Sequence, residues 1–144
     1  MISKLLVFGQ FFSLFLLTLP FQTQKLIYTD LFFILFNTLA LLIALWTFKY
    51  NKLGNFNIVP DIKEGSTLIT TGPYKYVRHP MYSAVILVAL ALLSHFSYWK
   101  LGVFTVLLSV LYIKARREEG YWASHSKHYS AYKKTNKMFI PYVL

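Results

Sequence analysis

The chain has 144 residues, of which 56% are hydrophobic and only 14% are charged, whereas soluble domains carry about 25% charged residues. Ten more positive than negative charges are present, and no cysteine, which excludes disulfides, thiolate metal sites and a cysteine nucleophile. We therefore expect a membrane protein with a single domain over residues 1–144. Its positive charges cluster between and after the apolar runs, which is typical of the cytoplasmic side of a membrane and not of nucleic-acid binding.

Four apolar runs follow one another along the chain and predict an all-α integral membrane protein with about four transmembrane helices. The first begins like a signal peptide, but "LTLPFQTQ" contains no small-x-small cleavage site, so we expect it to be retained as a helix. Only the turn "SYWK" separates the last two runs, which predicts a tight helical hairpin. The helices are expected at about residues 3–20, 29–50, 80–97 and 99–119, with a loop over 51–79 and a tail over 120–144.

The distribution of lysine and arginine predicts the orientation. These residues concentrate in the loop before the third helix and in the tail, whereas the two opposite turns contain only Lys25 and Lys100. Both termini are therefore expected in the cytoplasm. The loop is too long for a simple connector, and its polar atoms must be solvated or line a site. The tail places aromatic residues and histidines at helical spacing, which predicts an interfacial amphipathic helix.

The stretch "GPYKYVRHPMYSA" begins the third predicted helix. Pro80 suits the first helical turn, so His79 is expected at or near the N-cap. Lys75 and Arg78 lie beside the positive end of the helix, which is unfavourable unless an anion is nearby. From spacing alone, these are either interfacial basic residues that follow the positive-inside rule or part of a binding site.

Glu118 and Glu119 lie where the fourth predicted helix leaves the membrane, at the level of His79. Lys114 and Glu118 are four residues apart and share a helical face. Two interpretations remain open: a surface salt-bridge cluster with Arg116 and Arg117, or a carboxylate presented to a cationic ligand in a pocket rimmed by Tyr74, His79 and Tyr82. The remaining histidines show no metal-ligand spacing, and the glycines form no GxGxxG or P-loop motif.

Three segments in order, "GSTLITTGPYKYVRHPMYSA", "REEGYW" and "YSAYKKTNKMFIP", resemble the isoprenylcysteine carboxyl methyltransferase family, which includes bacterial relatives and phospholipid methyltransferases. The resemblance covers about residues 46–144. It implies an integral membrane enzyme, in bacteria an inner-membrane one, that uses S-adenosyl-L-methionine without a Rossmann fold or a metal. The methyl acceptor would be a lipophilic small molecule or a lipid bearing a carboxylate, amine or thiol. Neither the acceptor nor the oligomeric state follows from the sequence.

The resemblance also implies roles for particular residues. His79, Tyr82 and Glu118 would be catalytic, and His79 is the nearest base for a thiol acceptor. Lys114 would orient the substrate. The cofactor would contact a cytosolic loop, the helical hairpin and the C-terminal segment, through Ser66, Thr67, Leu68, Ile69, Tyr74, His79, Pro80, Met81, Tyr82 and Glu118.

The chain departs from the family pattern at Ala84, at Trp122 and at the pair Ser126-Lys127. These positions bear on helix packing and on the lipid-facing mouth of the pocket. Two other functions remain as alternatives: an NADPH-dependent reductase of the sterol type, which shares a similar hairpin, and a non-catalytic membrane scaffold.

Overall fold

A computed structural model describes residues 1–19, 29–51, 55, 59, 65–94 and 97–143. The described residues form five α-helices and no strand: α1 (Ile2–Thr18), α2 (Thr29–Tyr50), α3 (Pro80–Leu92), α4 (Tyr98–His125) and α5 (Tyr129–Thr135). A 3₁₀ turn, Gly72–Lys75, precedes α3. The all-helical fold confirms that part of the prediction. His95 and the loop residues 52–54, 56–58 and 60–64 lie outside the described residues.

Two helical segments, Leu31–Tyr50 and Tyr98–His125, are long and apolar enough to cross a membrane, and α1 and α3 are shorter apolar helices. The arrangement of four crossings with a terminal hairpin therefore remains a prediction. Since α3 ends at Leu92 and residues 93–94 form a turn, the helix does not reach the expected end at residue 97. Helix α4 continues past residue 119 to His125, because no proline interrupts the polar sequence that follows its apolar part.

The four longer helices pack in two pairs. Helix α2 packs along α3, and α1 packs along α4. A core of buried apolar side chains links α1, α3, α4 and the C-terminal segment, and it comprises Leu17, Ala89, Leu107, Leu111, Ala115, Met138 and Phe139. The outer face of α2 is apolar and largely exposed, as expected of a helix that faces lipid. This packing brings the start of α3 beside the last turns of α4.

The predicted C-terminal amphipathic helix is divided in the structure. Tyr121, Trp122 and His125 belong to the end of α4, whereas Tyr129 and Tyr132 belong to α5. Tyr129 is buried and Tyr132 half-buried, so neither occupies the exposed face of a surface helix. The chain that follows α5 returns to the start of α3.

Candidate functional site

The segment before α3 is shaped by a glycine and two prolines. Gly72 has a φ of +62°, which a side chain would strain, and it begins the 3₁₀ turn with Pro73. The ring of Tyr50 packs where a Cβ of Gly72 would lie, with its Cγ 2.4 Å from that position. Pro80 begins α3 and His79 is its N-cap residue, without a side-chain cap bond. The imidazole of His79 is therefore free to face another element.

The C-terminal segment pairs with the residues that lead into α3. Val77 and Lys137 form a parallel β-bridge. The N–H of Arg78 donates to the carbonyl of Lys137 at 2.8 Å, and the N–H of His79 donates to that of Met138 at 3.1 Å. These bonds satisfy backbone groups that regular secondary structure does not satisfy here. They hold the N-terminal end of α3 against the end of the chain.

Side chains also hold the C-terminal segment against the residues that precede α3. Tyr132 Oη donates to the carbonyl of Tyr74 at 2.6 Å, and Asn136 Nδ2 donates to the same oxygen at 3.0 Å. Arg78 Nη1 donates to the carbonyls of Asn136 and Lys133. The side chain of Arg78 thus reaches α5 and the residue that follows it, and no sequence pattern predicts this contact.

Glu119 lies between the residues that precede α3 and the C-terminal segment, and it pairs with both. Its side chain is 1% exposed, and its carboxylate lies 2.7 Å from Arg78 Nε and 2.7 Å from Lys133 Nζ. It is therefore a buried ion-pair partner of two segments distant in sequence, and not a member of a surface cluster. Arg117, which the cluster interpretation would pair with a glutamate, instead approaches Ser3 Oγ of α1 at 3.4 Å.

Glu118 faces a different environment. Tyr82 Oη donates to Glu118 Oε1, and His79 Nδ1 lies 3.3 Å from Glu118 Oε2. The rings of His79 and Tyr82 stack with centroids 5.4 Å apart and planes 11° from parallel. With 24% of its side chain exposed, Glu118 has room to accept a further hydrogen bond.

His79 stands between the two glutamates, with Nε2 3.5 Å from Glu119 Oε1 and no hydrogen bond formed by that nitrogen. Burial lowers the pKa of His79, but the carboxylates of Glu118 and Glu119 raise it by more, so the pKa lies above its ordinary value of 6.5. The imidazole consequently tends to keep its proton and to carry a positive charge against Glu118.

All of the predicted cofactor-binding residues, from Ser66 to Ile69, Tyr74, His79 to Tyr82 and Glu118, line one cavity. The cavity is open to solvent, and its empty space including the open mouth is about 860 Å³. Whether these residues bind a ligand remains a prediction. Other lining residues were not among the predicted cofactor contacts: Asn51, Asn55, Val59, Arg78, Trp122, Tyr129 and Tyr132.

Lys114, the predicted substrate-orienting residue, does not line this cavity. It is buried between α1 and α4, where its Nζ donates to Gln10 Oε1 at 2.6 Å. The same Nζ lies 5.2 Å from the centroid of the Tyr82 ring, within the distance of a cation–π contact. Lys114 therefore touches the site through Tyr82. Its partner Gln10 was visible in the sequence only as a polar residue interrupting an apolar run.

No group of three or more His, Cys, Asp or Glu side chains in the described part of the chain is arranged to hold a metal ion. A cavity at one end of apolar helices, with a hydrogen-bonded carboxylate and aromatic walls, defines a small helical protein of membrane type with a candidate ligand pocket. A family model described as "Phospholipid methyltransferase" matches residues 31–130.

Since that match covers well over half of the chain, the protein belongs to the phospholipid methyltransferase family. The resemblance inferred from the sequence is thereby confirmed. No curated protein and no solved structure matched the chain. Membership supports a methyltransferase acting on lipophilic substrates and favours that prediction over the reductase and the scaffold. The matched residues include the cavity-lining part of α3 and α4, but neither α1 nor Lys133 and Asn136.

Proposed function

We propose that the protein transfers a methyl group from S-adenosylmethionine to a lipophilic acceptor at the cytosolic face of a membrane, the inner membrane if the source is bacterial. Family membership supports the reaction class. The loop and C-terminal segment around the cavity are rich in lysine and arginine, which favours their placement, and that of both termini, in the cytosol. A polar cofactor would then enter from water and an apolar acceptor from the bilayer.

The observation that carries the proposal is the setting of Glu118. Its carboxylate is held by Tyr82 and His79 at the wall of the cavity and remains partly exposed. A carboxylate fixed by two partners loses little further freedom when a cationic ligand group binds, which favours recognition of an ammonium or of ribose hydroxyls. Glu118 is thus the principal cofactor contact in this proposal.

The other residues of the cavity also fit S-adenosylmethionine. Tyr74 and Tyr82 provide aromatic faces for an adenine ring or a sulfonium charge. His79 also lines the cavity, while its Nε2 faces the buried carboxylate of Glu119 at 3.5 Å. When bound, the cofactor supplies a methyl group on a positively charged sulfur, so the protein's task is to align the acceptor and exclude water.

The protonation of His79 bears on the class of acceptor. A thiol must lose its proton before it attacks, and His79 is the nearest candidate base. However, the neighbouring carboxylates raise the pKa of His79 and so disfavour its acting as a base near neutral pH. A carboxylate, or an amine that arrives unprotonated, brings its own lone pair and needs no base. We therefore propose a carboxylate or amine acceptor over a thiol.

Lys114 is positioned to act on the membrane side of the site. It precedes Glu118 by one helical turn, which places it roughly 6 Å nearer the apolar N-terminal part of α4, and its ammonium lies over the Tyr82 ring. A cation at that depth suits an anionic part of a lipophilic acceptor. We propose that Lys114 orients such an acceptor from beneath Tyr82.

The test is methyl transfer from S-adenosyl-L-methionine labelled in its methyl group, incubated with membranes that contain the protein. Label is expected in an organic extract with wild type and with the exposed-site control Thr105→Val, and it is expected to be lost with Glu118→Gln. Failure of the folded wild-type protein to label any lipid or extractable small molecule would contradict the proposal. Equal labelling by Glu118→Gln would remove the role given to Glu118.

A further inference from the structure

Asn51 and Asn55 connect the end of α2 to the loop beside the cavity through their side-chain amides. Asn55 Oδ1 accepts from the N–H of Thr67 at 2.7 Å, and Asn55 Nδ2 donates to the carbonyl of Thr67 at 3.0 Å. Asn55 Nδ2 also lies 2.6 Å from Asn51 Oδ1, and Asn51 Nδ2 lies 2.9 Å from the hydroxyl of Tyr74. All four residues line the cavity.

One backbone atom fixes the direction of every hydrogen bond in this network. The N–H of Thr67 can only donate, so the atom of Asn55 that faces it must be the oxygen. The Asn55 nitrogen then faces Asn51, which must present its own oxygen there and its nitrogen to Tyr74. The orientation of a side-chain amide usually has to be assigned, but here the backbone determines it.

The hydroxyl of Tyr74 is therefore an acceptor toward Asn51, and its own proton must point elsewhere. Within the described ranges, no residue accepts that proton. Burial raises the pKa of Tyr74 to about 12, so the hydroxyl stays protonated at neutral pH. Tyr82 differs, because its proton is donated to Glu118. Of these two cavity tyrosines, Tyr74 is the one with a proton to offer.

We propose that Tyr74 donates a hydrogen bond to the bound cofactor, and that Asn51 and Asn55 are positioning residues which keep that proton available. The partner is an acceptor atom, either a carboxylate oxygen of the amino-acid part or an oxygen or nitrogen of the nucleoside. Tyr74 would then supply a donor to the cofactor, and Glu118 an acceptor. The inference rests on the proposed function, since it assumes that S-adenosylmethionine is the ligand.

The experiment measures binding of S-adenosylhomocysteine to the full-length protein in detergent by calorimetry, for wild type, Tyr74→Phe, Asn51→Asp and the double variant. Tyr74→Phe removes one oxygen and is expected to weaken binding roughly tenfold. Asn51→Asp keeps the shape and still accepts from Asn55, but its carboxylate takes the proton of Tyr74. It is expected to weaken binding by a similar factor.

The double variant separates an effect that acts through the proton of Tyr74 from a general structural effect of changing Asn51. If Asn51 acts through Tyr74, adding Asn51→Asp to Tyr74→Phe causes no further loss. Equal losses in both backgrounds, or wild-type affinity in both single variants, would overturn the inference. Should Asn51→Asp fail to fold, Asn55→Asp serves instead, since it forces the Asn51 amide to turn and present its oxygen to Tyr74.

The same titrations with 5′-methylthioadenosine, which lacks the amino-acid part of the cofactor, locate the atom that accepts from Tyr74. If Tyr74→Phe weakens only the binding of S-adenosylhomocysteine, the acceptor lies on the amino-acid part. If it weakens the binding of both ligands, the acceptor lies on the nucleoside. Absence of binding by folded wild-type protein would overturn the proposed function and this inference together. Wild-type binding with unaffected variants would overturn this inference alone.

Discussion

Glu118 and Glu119 are adjacent on α4, yet their carboxylates serve separate sets of partners. Glu118 accepts from Tyr82 at the cavity wall, whereas Glu119 pairs with Arg78 and Lys133 in the interior. Their side chains are 24% and 1% exposed respectively. The pair thus joins a ligand-facing carboxylate to one that holds the C-terminal segment in place.

This difference predicts unequal effects on stability. Glu119→Gln leaves the guanidinium of Arg78 buried without a counter-charge, which is expected to lower the free energy of unfolding by about 3 kcal/mol. Glu118→Gln keeps an oxygen for Tyr82 and is expected to cost about 1 kcal/mol. Unfolding of the two variants in detergent measures both values. Equal losses would show that the two carboxylates do not have the separate roles described.

The close approach of Tyr50 to Gly72 predicts a local requirement for glycine. Gly72→Ala would place a Cβ 2.4 Å from the Tyr50 ring, at a φ of +62°. It is expected to lower stability and weaken S-adenosylhomocysteine binding, because the same turn carries Tyr74. Gly65→Ala is the matched control: its φ is +79°, but nothing lies within 4 Å. If both variants behave alike, the ring contact contributes nothing beyond backbone strain.

The Lys114–Gln10 pair predicts a compensating double variant. Gln10→Leu removes the acceptor of a buried ammonium and is expected to cost about 1–3 kcal/mol. Adding Lys114→Met removes the charge as well and is expected to restore most of that loss. Unfolding of the two single variants and the double variant tests the coupling. Additive losses would mean that the two side chains do not interact.

The raised pKa of His79 predicts a pH-dependent stability. A group whose pKa is higher in the folded than in the unfolded state stabilises fully below its unfolded value, here about 6.5, and loses that contribution as pH rises through the folded value. The Tm of wild type is expected to fall over that range. His79→Gln cannot titrate, so its Tm is expected to lack this step. A parallel fall in both proteins would assign the step to another group.

Much of the local structure follows from the sequence. The apolar runs predict the positions of the helices, and Pro80 predicts the start of α3 with His79 before it, as the structure has them. The effect of a proline and the length of an apolar run both depend on contiguous residues, so the sequence alone predicts their consequences. The order of the three motifs sufficed to infer the family.

The partners of the buried polar groups could not be predicted in this way. Arg78, Glu119 and Lys133 come from three separate segments, and no spacing rule relates them. A weak signal did exist in α1, where Ser3, Gln10 and Ser13 form a buried polar stripe on an apolar helix. Such a stripe predicts a polar partner on another helix, but the identity of Lys114 as that partner depends on how α1 and α4 pack.

The most direct measurement is a calorimetric titration of S-adenosylhomocysteine into purified wild-type protein and into Glu118→Gln. Micromolar binding by wild type, about −8 kcal/mol, with at least a tenfold loss in a folded Glu118→Gln variant, is the expected result. It would place the cofactor against the carboxylate that Tyr82 and His79 hold. No binding by folded wild type, or an affinity that Glu118→Gln leaves unchanged, would contradict the assignment of this cavity as the cofactor site.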